Sequence, residues 1–151
     1  MLRARLNDDL KHALKAKDQL AVATLRLILA ALKDRDIAAR GKGNSDGIGE
    51  DDIFELLQKM VRQRRESIEA YQNGGRRDLA EREAAEIEVI KRFLPKELDE
   101  TEVQSAIEQT IAELEASSIK DMSKVIGTLK ERYAGRMDFG KASQLVKQRL
   151  A

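Results

Sequence analysis

Three groups of residues in this 151-residue chain have the types and spacing to do chemistry. The first lies late in the chain, where Lys124, Lys130, Arg132, Arg136 and Lys141 recur at intervals of two to six residues with Gly127 and Gly135 among them. Positive side chains along one short segment are what neutralises phosphates, and a glycine admits close approach of another backbone. The second is Arg64, which interrupts an apolar helical stripe, with Glu83 and Glu86 one helix further on. A buried guanidinium needs a carboxylate, so Arg64 is expected to reach Glu83 or Glu86 as a structural ion pair. A general acid and base made from the two carboxylates would need a nucleophile or a metal ligand beside them, and none is near in sequence. The third is segment 41–49, in which Gly41, Gly43, Gly47 and Gly49 exclude a helix interior. It fails as a phosphate cradle because Lys42 is followed by Gly43 rather than Ser or Thr, and as a calcium loop because the alternating ligands and closing Glu are missing. A mobile linker is expected there.

What is missing narrows the chemistry further. There is no cysteine, so no disulfide framework, thiolate metal site or cysteine glutaminase is available, and no Ser-Lys amidase signature is present. The one histidine, His12, falls on the first helix without an evident partner. No catalytic residue, no metal and no cofactor is therefore assigned. The N-terminal residues carry charge at almost every turn, and no stretch reaches the roughly 20 apolar residues of a membrane span. A cytosolic protein, neither exported nor embedded, is expected.

The elements that must position these residues are helices. Charged residues make up 36% of the chain and aromatics 3%, with a single proline, a composition poor in what strands prefer. Leu2, Leu6, Leu10, Ala13 and Leu14 mark a first helix ending near Lys17; Asp18 caps a second. The second helix adds Leu20, Val22, Leu27 and Ala31 to Leu25, Ile28, Leu29 and Leu32, a stripe wide enough to be covered on two sides. Glu50, Asp51 and Asp52 open a third helix that carries Ile53, Leu56, Leu57, Met60, Val61, Ile68 and Tyr71 and stops at Gly74 and Gly75. A fourth begins near Asp78 and buries Leu79, Ile87, Ile90 and either Phe93 or Leu94, until Pro95 ends it. Arg62, Arg65, Arg76 and Arg77 belong to a solvated face. Asp99 with Glu102 makes a capping box flanked by Leu98 and Val103, which starts a fifth helix burying Val103, Ile107, Ile111 and Leu114. A sixth buries Met122, Val125, Ile126, Leu129 and Tyr133; a seventh, capped by Asp138, buries Ala142, Leu145, Val146 and Leu150. The spacing predicts an all-α chain with a four-helix domain over residues 1–95 and a small three-helix tail domain over 96–151. Gly127 falls mid-helix, at a cost of about 1 kcal/mol relative to alanine, so either a neighbouring helix packs close to it or a ligand backbone approaches there.

Charge is distributed unevenly along the tail. Residues 99–117 hold six acidic and no basic side chains, whereas residues 118–151 hold eight basic against three acidic. A net charge of +1 hides that polarity, and local potential is what attracts a polyanion. Several stretches, among them Arg62-Gln63-Arg64-Arg65-Glu66-Ser67-Ile68, Leu94-Pro95, Asp121-Met122-Ser123-Lys124-Val125-Ile126-Gly127 and Gly135-Arg136-Met137-Asp138, closely resemble the GatB/YqeY family from end to end. Departures fall at Ser123, Met137 and Phe139. Members resemble the helical and tail portions of the B subunit of the tRNA-dependent amidotransferase and lack its catalytic cradle. The resemblance implies an all-helical fold and tRNA as a partner of the tail, through Lys124, Gly127, Lys130, Gly135 and Arg136. It implies an accessory role in converting Glu-tRNA or Asp-tRNA to the amide form. Two alternatives stand beside it: a carbon–nitrogen ligase with glutamine as amido donor, active only within a complex, and an adaptor that docks translation or amidotransferase proteins.

Overall fold

Leu2, Leu6 and Ala13 share one side of helix α1 (Leu2–Ala16), and all three are buried. The helix ends where Lys17 turns left-handed at φ 58°, and Asp18 restarts the chain by accepting the Ala21 N–H at the head of α2 (Gln19–Gly41). The computed structural model describes residues 1–151 and is all-α, with seven helices, one 3₁₀ turn and no strand. Two compact units divide it, Met1–Leu94 and Pro95–Ala151, one residue from the boundary read in the sequence.

In the first unit α3 (Glu50–Asn73) lies along α4 (Arg77–Lys91), α1 lies along α2, and α2 also meets α4. Leu6, Leu25, Ile28, Leu57, Ile90 and Phe93 are almost wholly removed from water, each burial being worth about 1.5–3 kcal/mol. Phe93 follows α4, and Arg5 holds it: the guanidinium stands 5.3 Å from the ring centroid while donating to the Arg92 carbonyl at 3.0 Å. Leu79 is only half-buried, and Ala80 takes the buried place beside it.

One expectation is met in part and another fails in this unit. The stripe of α2 is covered by α1 and α4, with Ala21, Thr24, Leu25, Ile28 and Leu32 buried and Val22, Leu29 and Ala31 half-buried, but Leu27 and Ile37 lie outside that cover, 50% and 53% exposed. Segment 41–49 is tethered rather than loose. Arg3 donates to both oxygens of Asp36 at 2.6 and 2.7 Å and to the Ile48 carbonyl at 2.8 Å, while Asp36 accepts the Ile48 N–H at 3.0 Å. The Asn44 amide closes the turn on the Gly47 carbonyl at 2.8 Å. Gly47 takes φ +85°, and a Cβ there would lie 2.4 Å from the Asp36 carboxylate, so only glycine fits.

The second unit contains α5 (Glu100–Glu113), a 3₁₀ turn (Ile119–Asp121), α6 (Met122–Arg132) and α7 (Phe139–Leu150). Asp99 accepts the Glu102 N–H at 2.7 Å, and Glu102 accepts the Asp99 N–H at 3.2 Å, which completes the capping box. Ile107, Val125, Leu129, Met137, Ala142 and Val146 form the core. Helix α5 buries Ile107 as expected, but its inward face is shifted toward Ala106 and Thr110, which are buried, while Val103 and Ile111 are half-buried. Leu114 is exposed, since the helix stops at Glu113 and Glu115 turns left-handed at φ 53°. Met122, Ile126, Tyr133 and Leu145 pack at the margin.

Candidate nucleic-acid interface

Helix α6 turns Val125 and Leu129 inward, which leaves Ser123, Lys124, Gly127, Lys130 and Glu131 as exposed positions on the opposite side. Gly127 lies among these solvent-facing residues, and a Cβ built on it meets nothing within 4 Å. The expected close packing by a neighbouring helix is therefore absent, so the cost of a mid-helix glycine is not offset inside the molecule. Two lysines and a bare stretch of backbone share this face, with Glu131 as its one acid. Lys124 lies in the field of Asp121, whose carboxyl is held below the usual carboxylate range by the Ser117 and Ser118 N–H groups.

The other basic residues named from the sequence are differently engaged. Arg132 reaches back to Glu113 on α5 at 2.6 Å, and that contact, with help from Gln109, lowers the Glu113 carboxyl. Arg136 is half-buried, its Nε donating to the Lys96 carbonyl at 3.1 Å and its own carbonyl accepting the Leu98 N–H at 2.8 Å. It fastens the start of the second unit to the turn between α6 and α7. Gly135 is buried in that turn at φ +77°, where a side chain would be strained. Lys141 is exposed in the first turn of α7, behind the Asp138 cap. The structure thus groups Lys124, Gly127 and Lys130 on one helix face and gives Arg132, Gly135 and Arg136 contacts within the fold.

Arg64 and the two glutamates meet between α3 and α4. Its Nε lies 3.0 Å from Glu86 and 4.0 Å from Glu83, and Nη1 donates to the Met60 carbonyl at 3.2 Å. Arg82 approaches the second Glu86 oxygen at 3.7 Å. The Arg64 and Glu86 side chains are 12% and 9% exposed, so the pair is enclosed rather than presented to a substrate. His12 is exposed on α1. Sequence reasoning missed the Arg3 and Asp36 clamp, whose members are 33 residues apart and each look like ordinary helix-surface charge. Asp36 is held down to about 2, first by the Arg3 hydrogen bonds and then, against the desolvation of its site, by the Ile48 N–H.

An all-helical chain with a basic face on a three-helix tail is the class these features define. The model of the Yqey-like protein family matches residues 3–150, and the chain belongs to that family. Among its relatives is "Altered inheritance of mitochondria protein 41, mitochondrial" of Lachancea thermotolerans, 36% identical over 129 residues, covering 82% of this chain and 67% of the relative. The proteins of the same name from Eremothecium gossypii and Kluyveromyces lactis are 38% identical over 91 residues and 32% over 117. Those matches cover 60% and 76% of this chain but only 48% and 60% of the relatives, so the chain spans about half to two thirds of the proteins it resembles. Their names correct the cytosolic expectation, since all three are named as mitochondrial proteins. Lack of cysteine and of long apolar segments speaks to redox state and membrane insertion, and does not separate the cytosol from an organelle interior.

Proposed function

We propose that this chain is an accessory tRNA-binding protein linked to the amidation of misacylated Glu-tRNA or Asp-tRNA, holding the RNA by its phosphates. The observation that carries the proposal is the outer face of α6, where Lys124 and Lys130 flank a glycine with open space above it. A helix that forgoes about 1 kcal/mol of propensity at a solvated position, beside phosphate-binding side chains, is suited to close approach by a sugar–phosphate strand. With 3% aromatics the chain has little for stacking bases, so recognition rests on charge and shape. The amide chemistry then belongs to a partner enzyme, because no cysteine is available as a glutaminase nucleophile. The relatives' names bring a mitochondrial setting to this proposal.

The test is a titration of labelled bulk tRNA at two salt concentrations, with an RNA duplex of similar length as competitor. If Lys124, Lys130 and Lys141 neutralise three phosphates, a fourfold rise in salt lowers affinity by about 20- to 40-fold. Substituting Lys124 and Lys130 by Ala lowers the logarithmic salt slope by about 1.5 to 2. An unchanged slope in that double variant removes the α6 face from consideration.

A further inference from the structure

Helix α2 carries a second helical seam on the side turned away from its core. Leu20, Leu27, Asp34 and Gly41 recur every seven residues, and Ala23, Ala30 and Ile37 fall between them at the alternating three- and four-residue spacing of a helix-pairing surface. Leu27 and Ile37 are the two large apolar residues half or more exposed here; Ala30, Asp34, Ala38 and Gly41 are exposed, and Leu20, Ala23 and Ala31 half-buried. A helix face meant only for water is polar, whereas this one holds a single charge across six turns. Along one edge, again every seven residues, run Arg26, Lys33 and Arg40, all exposed; the positions along the other edge, Ala31 and Ala38, are uncharged.

We propose that this face docks an amphipathic helix of another protein, one whose flanking positions are acidic. Flanking charge sets partner and orientation in paired helices, and a row of three basic residues selects carboxylates opposite. A second copy of this chain fits poorly. Parallel pairing would set Asp34 against Asp34 in the seam, and antiparallel pairing would set the two basic rows against each other. A lipid surface fits poorly too, because Asp34 stands in the middle of the strip that would enter the acyl region. Asp34 instead fixes register, pairing with a donor at one seam position of the incoming helix as a lone polar seam residue does in coiled coils.

The probe is a synthetic helix of about three heptads with Leu at the seam positions, save one Asn set opposite Asp34, and Glu at the flanking ones, whose like charges keep it from pairing with itself. A matched peptide with Lys in place of Glu is the control, and binding to the full chain is read by fluorescence anisotropy. The acidic peptide is expected to bind at least tenfold more tightly than the basic one. Leu27→Asp should weaken it at least tenfold with an unchanged melting temperature, since Leu27 is already half in water. Joint substitution of Arg26→Glu and Lys33→Glu should reverse the preference between the peptides. Equal binding of both peptides, or none by the acidic one, overturns the proposal. So does self-association on sedimentation, or capture by phosphatidylserine vesicles, that Leu27→Asp abolishes while peptide binding is absent.

Discussion

Replacing Gly127 by alanine separates the two things a mid-helix glycine can be for. An added Cβ on α6 meets no atom within 4 Å, so the methyl group introduces no clash and removes no packing. What remains is backbone entropy and propensity, worth about 1 kcal/mol in favour of the variant. For a domain the size of the second unit that is a rise of about 4–8 °C in its melting transition, measurable by calorimetry on the full chain. The same methyl stands where a ribose–phosphate strand would touch the helix, so tRNA affinity should fall about tenfold while stability climbs. Opposite movement of the two quantities is the diagnostic, because a variant that loses binding by unfolding moves them together. Stability that is unchanged or lowered would mean the position is not open. Raised stability with undiminished tRNA affinity would refute a role for the bare α6 backbone in binding.

The enclosed pair on α3 and α4 makes a further prediction. Arg64→Ala leaves Glu86 buried with only the distant Arg82 for company and should cost about 3 kcal/mol in urea unfolding, whereas the apolar double variant Arg64→Met with Glu86→Leu should stay within about 1 kcal/mol of the parent. A single-variant cost below that of the double would sink this account. Asp36 predicts a pH dependence: its carboxyl is depressed from 3.8 to about 2, so its contribution is fully present above pH 4 and disappears as pH falls through about 2. The raw shift corresponds to about 2.4 kcal/mol, which solvent screening of the 38% exposed Arg3 reduces to about 1. Asp36→Asn should therefore be less stable than the parent by about 1 kcal/mol at neutral pH, and the gap should close near pH 2. A gap that persists in acid would place the effect elsewhere.

Helices and their ends were legible because their signals are local. Asp18, Asp99 and Asp138 each lie at the head of a helix and accept from its first turn, as their sequence context implies. The buried faces were less legible. In α5 Ile107 is buried as expected, but small Ala106 and Thr110 share its place while Val103 and Ile111 are only half-buried, a preference that depends on how close the neighbours come. Met137 is buried in a turn, where no periodicity can announce it. For α2 the width of the stripe implied cover on two sides, which α1 and α4 supply, but not that Leu27 and Ile37 would stay outside it. The candidate phosphate contacts were named from charge and resemblance alone, which cannot tell Lys124 from Arg136. The first keeps its ammonium in solvent, while the second spends its guanidinium on a backbone carbonyl 40 residues away.

The clamp at Ile48 bears on how this fold can change. Since the head of α3 is referenced to Arg3 and Asp36 through the N–H and carbonyl of Ile48, the residues ahead of Gly47 have no part in setting the helix's position. Residues inserted between Ser45 and Asp46 open the Asn44–Gly47 turn and bulge outward, at about 0.6 kcal/mol for each doubling of loop length, while Ile48 keeps its contacts to Arg3 and Asp36. A reporter peptide or protease site can be grafted there without disturbing the exposed faces of α6 and α2.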